Sequence, residues 1–200
     1  MKGKKSIQKE DVVFADPTYD ITFKMLFGNN ENKDILISFL NSLLNLDGDK
    51  KIVEVVIVSN ELQVESFFKE KGKSGIKSAV DVLCTTTTGQ QIAVEMQHKQ
   101  KEYFLTRTQE YMSKLIAGQV KEGQGELYHK AVMDTYILVI GKENMFRGEF
   151  ALKDQSLFEV DIVPTVKQTG EEMPGNKMHW KFFELLKFAK TYKNVEIYPI

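Results

Sequence analysis

Two carboxylates stand in apolar surroundings in residues 78–99, SAVDVLCTTTTGQQIAVEMQHK: Asp81 and Glu95, with Gln97 two residues past Glu95. Carboxylate oxygens converging from two strands are hard donors that suit Mg²⁺ or Mn²⁺. Zinc suits the stretch less, because Cys84 has no second cysteine and His98 points away from the face of Gln97. A metal held there would lower the pKa of a bound water and neutralise charge on a phosphate. The Gln97 amide could orient that water, but it can be neither a charged acid nor a strong base. The plain alternative is a half-wet strand face, which carries Asp, Glu and Gln with no such role.

Everything depends on register, because side chains alternate along a strand. A two-residue turn at Thr88-Gly89 sets Asp81 opposite Met96 and sends Glu95 to the reverse face. A three-residue loop, Thr87-Thr88-Gly89, pairs Thr86 with Gln90 and Asp81 with Glu95. The three-residue hairpin wants a left-handed residue at its last loop position, where Gly89 stands. Thr88 is a poor first residue for the two-residue turns, since a β-branched side chain is penalised at positive φ. Turn chemistry favours the shared face. Opposed residues there have Cβ atoms roughly 4.5–5.5 Å apart. Two carboxylates so placed repel, one pKa rises, and a divalent cation removes the conflict.

The elements that must position this hairpin are legible in outline. Pro17 would open a short helix with Ile21 and Met25 inward, joined by Phe23 and Phe27, and Gly28 would stop it. NNENKDILISFLNSLLNLDGDK is a helix capped at Asn30, with Ile35, Leu36, Phe39, Leu40, Leu43 and Leu46 at helical spacing. KIVEVVIVSN reads as a strand, LQVESFFKE as another or its continuation, and residues 102–121 as a long helix. DTYILVIGK is a central strand, apolar almost throughout. SLFEVDIVP is a further strand candidate, and KMHWKFFELLKFAKTY reads as a C-terminal helix. The order is that of a mixed α/β domain. Residues 1–16 read as a loose arm and 17–200 as one domain, with its core at about 17–145 and an extension at 146–200.

Composition bounds the partners. With 27 Lys and Arg against 28 Asp and Glu, the net charge is −1, so any nucleic-acid surface must be local. A lone cysteine excludes an internal disulfide and suits a reducing compartment, as a small buried hydrophobe. The N-terminus lacks the apolar stretch of a signal peptide, and no run approaches the ~18 apolar residues of a membrane span. A soluble cytoplasmic protein with no membrane attachment and no organic cofactor is expected. KEKGKSG lacks the ending of a phosphate-binding loop.

An Asp in one strand, thirteen residues, and Glu95-Met96-Gln97 in the next strand before a long helix resemble the core of PD-(D/E)XK nucleases. The flanks YDITFKMLFGNNENKDILISFLNSLL and FLTRTQEYMSKLIAGQVKEGQGELYHKAVMDTYILVI resemble the transposase-like branch, the recombination-promoting nucleases. The resemblance covers about residues 17–145, and more loosely the chain to Trp180. It implies a restriction-endonuclease-like core, a mixed four-stranded sheet flanked by helices, and Mg²⁺-dependent DNA cleavage. Asp81 and Glu95 would be metal ligands, with the Met96 carbonyl a third. Gln97 stands where many such enzymes carry Lys, as is usual in this branch, and Val80 replaces the motif's proline.

Arg107 and Tyr111, four apart on the long helix, resemble the family's Arg-x-x-x-Tyr block. Arg107 would hold a phosphate or orient Glu95, or else pair with Glu110 or Glu102 at the surface. Asp20 and Lys24 match an Asp-x-x-Phe-Lys block and would extend the site or form a simple i,i+4 ion pair. Glu61 is a weaker acid candidate. Lys69, Lys71, Lys73 and Lys77, with Lys99 and Lys101, are candidates for tracking a DNA backbone. His98, His129 and His179 read as surface or packing residues. The expected function is a metal-dependent DNA endonuclease. The alternative is a catalytically silent module of the same fold that binds nucleic acid or protein. A homodimer through the apolar C-terminal helix is compatible with either.

Overall fold

The run Thr135–Gly141, TYILVIG, is buried along almost its whole length and takes the middle of the sheet, as an apolar strand flanked on both faces must. The computed structural model describes residues 15–62, 78–99, 101, 103–120, 130 and 132–191. The strands are β1 (Val55–Ile57), β2 (Glu61–Leu62), β3 (Ser78–Ala79), β4 (Val82–Thr86), β5 (Gln91–Gln97), β6 (Thr135–Gly141), β7 (Glu159–Ile162) and β8 (Met178–Glu184). The helices are α1 (Asp20–Phe27), α2 (Lys33–Leu43), α3 (Phe104–Gln119) and α4 (Leu185–Thr191). The main sheet is mixed, in the order β1-β4-β5-β6-β8-β7, and β2 pairs with β3 in a small second ladder. β5 runs parallel to β6, and a parallel pair needs a long crossover, which α3 occupies.

Six strands replace the expected four. The addition comes from β8, which pairs in parallel with β6, and β7, which pairs with β8. The segment beginning at Lys177 is therefore not a helix until Leu185. Phe182 packs with the α3 side of the sheet and Phe183 with the α1–α2 side, so consecutive aromatics are buried on opposite faces. A strand covered on both faces has no polar alternation to distinguish it from a buried helix. Trp180, Phe182 and Phe183 belong to the sheet and not to the C-terminal helix expected over this segment.

Alternation sorts the central strands cleanly. Val82, Cys84, Ile92, Val94 and Met96 pack beneath Phe23, Phe27, Leu36 and Leu40. Leu83 and Ala93 face Phe104, Tyr111, Met112 and Leu115 of α3. Odd-numbered positions of β4 and β5 thus look toward α3 and even ones toward α1 and α2. Cys84 is fully buried, and burial pushes its thiol up to about 12.

α1 differs from its expected face. It starts at Asp20, and Phe23 and Phe27 are buried while Ile21 and Met25 are 74% and 69% exposed. Two aromatics at i and i+4, packed with Phe39, fill the stripe that a helix this short can bury. The cap also shifts: the Asn29 side chain accepts from the Glu31 N–H at 3.0 Å, and a 3₁₀ turn at Asn30–Asn32 leads into α2.

The β4–β5 turn has the three-residue form. Val82 pairs with Val94 and Thr85 with Gln91, the Thr86 N–H donates to the Gln90 carbonyl at 3.0 Å, and Gly89 sits at φ +86°. A Cβ at Gly89 would meet Met133 Cγ at 3.3 Å and would be strained by the left-handed backbone. Gly89→Ala should cost about 1–2 kcal/mol. Thermal melts followed by circular dichroism would show it, and an unchanged midpoint would contradict it.

Candidate active site

Extending the β4–β5 register by one rung brings Asp81, in the bend before β4, opposite Glu95 in β5. The Asp81 N–H donates to Glu95 Oε2 at 3.2 Å, and the Met96 N–H donates to Asp81 Oδ2 at 2.7 Å. Glu95 follows the odd-numbered positions of β5 toward α3, while Asp81, in the bend, holds its carboxylate between the Met96 N–H and Lys24 of α1; their side chains are only 8% and 10% exposed. Gln97, one pleat on, is also buried, and its amide nitrogen donates to the Lys99 carbonyl at 2.9 Å.

Two cations close on the pair from different helices. Lys24 of α1 holds its Nζ 3.1 Å from Asp81 Oδ1 and 2.9 Å from Asp20 Oδ1. The i,i+4 ion pair and the extended site, alternatives in the sequence, are thus one arrangement. Arg107 of α3 stands 3.6 Å from Glu95 Oε1 and is held by the Tyr111 hydroxyl. Tyr111 is itself 2% exposed and part of the core. Glu110, one of the two surface partners considered for Arg107, is bonded to Lys114 and Ser78 at 2.7 Å each.

Charge remains in excess. Three acids, Asp20, Asp81 and Glu95, face two bases, Lys24 and Arg107. Burial, then the hydrogen bond with Asp20, raises Asp81 to about 6, against the pull of Met96 N–H and Lys24. Burial and the Asp81 charge raise Glu95 to about 8, although Arg107 opposes. The hydrogen bond with Asp81 and the contact with Lys24 hold Asp20 below the usual carboxylate range. Buried acids that resist ionising in each other's presence mark a place where a cation is wanted.

The donor set fits a hard divalent ion. Mg²⁺ commonly takes one or two carboxylates and completes its shell with water. Among the described residues no group of three or more His, Cys, Asp or Glu is gathered as a metal cluster, so two buried carboxylates are what the site offers. Met96 presents its amide N–H to Asp81.

Other candidates sort by position. Lys99 is exposed, and its carbonyl anchors Gln97. Glu61 sits in β2 opposite Ala79. Lys69, Lys71, Lys73 and Lys77 lie outside the described residues, as do Glu102, His129 and most of the N-terminal arm. His98 is a packing residue, stacked on Tyr19 at 4.3 Å with Thr18 Oγ1 3.2 Å from its Nδ1. Sequence reasoning missed Asp16 and Glu184. Asp16 bonds Lys142 at 2.8 Å, and the Lys142 N–H donates to the Gln97 carbonyl at 3.0 Å. Glu184 is fully buried and accepts from the N–H groups of Met145 and Phe146. Both contacts join residues about 38 or more positions apart, which no local spacing reveals.

No helix among the described residues is long and apolar enough to cross a membrane. No curated protein and no solved structure matches the chain. A family model does, over residues 17–198, and its description is PD-(D/E)XK nuclease family transposase. With nine-tenths of its length matched, the chain belongs to the PD-(D/E)XK nuclease family transposases.

Proposed function

We propose that the protein is a Mg²⁺- or Mn²⁺-dependent DNA endonuclease that hydrolyses phosphodiesters at Asp81 and Glu95. The observation that carries this reading is the buried, charge-excess carboxylate pair on one rung. Membership of a nuclease family supports the reaction class. Asp81, Glu95 and the Met96 carbonyl would hold the ion, which when bound would supply an acidified water and neutralise phosphate charge.

The chain's own residues do the positioning. Gln97, fixed through its amide nitrogen by Lys99, uses its carboxamide oxygen to accept from the attacking water. Arg107, braced by Tyr111, orients Glu95 and offers positive charge to the phosphate. Lys24 supplies near Asp81 the charge that a glutamine at position 97 lacks. A fixed cation there stabilises a developing anion without reorganisation at the moment of reaction.

Incubating supercoiled plasmid with the protein and Mg²⁺ should yield nicked circles, EDTA should prevent it, and Asp81→Ala should not nick. Equal nicking by wild type and Asp81→Ala would remove Asp81 from the chemistry.

A further inference from the structure

At the start of α3 lies a cavity of about 480 Å³, within the range of small-ligand sites. One wall is the segment entering α3, with Lys101, Tyr103 and Phe104. The other is the loop after β6, with Met145, Arg147 and Phe150. We propose that this cavity receives an unpaired nucleotide of the DNA substrate, adjoining the phosphate to be cut. The proposal rests on the nuclease reading for its location relative to the cut, and on its own lining for the ligand.

The lining has the chemistry of single-strand recognition, which combines cations along the backbone with aromatic faces for the bases. Tyr103 and Phe150 are 67% and 45% exposed, although large aromatics usually bury themselves. Tyr103 also holds a left-handed backbone, φ 62°, which is uncommon for a bulky residue and persists where the surroundings impose it. Lys101 and Arg147 bring two positive charges to the lining, with Glu149 beside them and Glu143 against Arg147. Arg147 also stands 3.7 Å from Glu143.

The cavity is tied to the acids by contact. Phe104 lines it, and the Arg107 guanidinium that faces Glu95 lies 5.9 Å from the centre of the Phe104 ring. On the other wall, Met145 fills the space over Gly141, where a Cβ would meet its Cε at 2.8 Å. Gly141 is the register partner of Gln97 on one side and of Glu184 on the other. Glu184 in turn takes the Phe146 N–H at 3.0 Å and pairs with Lys187, fixing the loop that carries Arg147 and Phe150. A nucleotide in the cavity would thus be two side chains from the carboxylates, on walls that are already anchored.

The test uses the full chain in EDTA, so that no cutting intervenes. Two probes of equal duplex length are compared by fluorescence anisotropy, one blunt and one with a single-stranded tail bearing 2-aminopurine. The tailed probe should bind about tenfold more tightly, a factor within the range of one base stacked on an aromatic side chain, and its 2-aminopurine should be quenched. Tyr103→Ala with Phe150→Ala should remove both the preference and the quenching, whereas Tyr103→Phe should keep them. Equal affinity for the two probes, or a preference untouched by the double substitution, would overturn the proposal. Plasmid nicking in Mg²⁺ is scored separately. Nicking without tail preference leaves the nuclease reading standing and removes the cavity site. Tail preference and quenching without nicking do the reverse.

Discussion

Glu95→Gln should lose Mg²⁺-dependent nicking by at least about 10²–10³-fold and, in metal-free solution near pH 8, should melt at a higher temperature than the wild type. The loss follows from removing one of two charged donors and the field it helps to balance, an effect of the size seen when one preorganised electrostatic contact is deleted. The gain follows from the same burial. Glu95 is 6% exposed and lies beside Asp81, which helps drive its pKa to about 8. Glutamine has nearly the same shape, and its carbonyl can still accept from the Asp81 N–H. The substitution removes a repelling charge at the cost of the Arg107 contact, for a net gain of about 1–3 kcal/mol, or a few degrees in a chain of this size. Opposite signs in activity and stability are the signature of a site strained for function. A variant that nicks like wild type would sink the role given to Glu95, and one that melts lower would sink the account of its electrostatics.

The pH dependence of stability should be similarly diagnostic. Folding raises Asp81 from 3.8 to about 6 and Glu95 from 4.5 to about 8. The folded chain therefore binds more protons than the unfolded one between about pH 4 and pH 8. Stability must fall as pH rises through that window, because it is fully present below the unfolded values and lost through the folded ones. The metal-free protein should be less stable at pH 8 than at pH 5 by about 2–4 kcal/mol, with Lys24, Arg107 and Asp20 around the pair setting the remainder. Acids held low by partners, such as Asp16, Glu110 and Asp134, shift the balance only below about pH 5. Adding Mn²⁺ should restore stability at pH 8, by about 2.7 kcal/mol at a hundredfold excess over its dissociation constant, and should do little at pH 5. Melts at the two pH values, with and without Mn²⁺, would check this. A Mn²⁺ effect as large at pH 5 as at pH 8 would contradict it.

How much of this was visible in the residues differs from element to element. The hairpin register was readable because Gly89 is a local signal: a left-handed position at the end of a three-residue loop decides which faces coincide. The central strand at Thr135–Gly141 was readable because burial on both faces left it apolar. The same property hid β8, whose aromatics at 180, 182 and 183 fit a helix as well as a strand until neighbours exist to choose between them. The inward stripe of α1 was misplaced because Ile21 and Met25 match the spacing of Phe23 and Phe27, and only packing against Phe39 selects one pair. Asp81 and Glu95 could be proposed from spacing, but the bridging position of Lys24 between two acids 61 residues apart (20 and 81) depends on how α1 docks. The cavity is further still from the sequence, since its walls come from segments about forty residues apart.

Cys84 has a practical corollary. It is the only thiol in the chain, and it is sealed beneath α1 and α2 with its proton held to about pH 12. Thiol-directed dyes react through the thiolate and need access to it. A cysteine introduced by mutation at an exposed position would therefore be labelled alone. Donor–acceptor distances from that dye to a marked oligonucleotide could then be measured without first deleting the native sulfur.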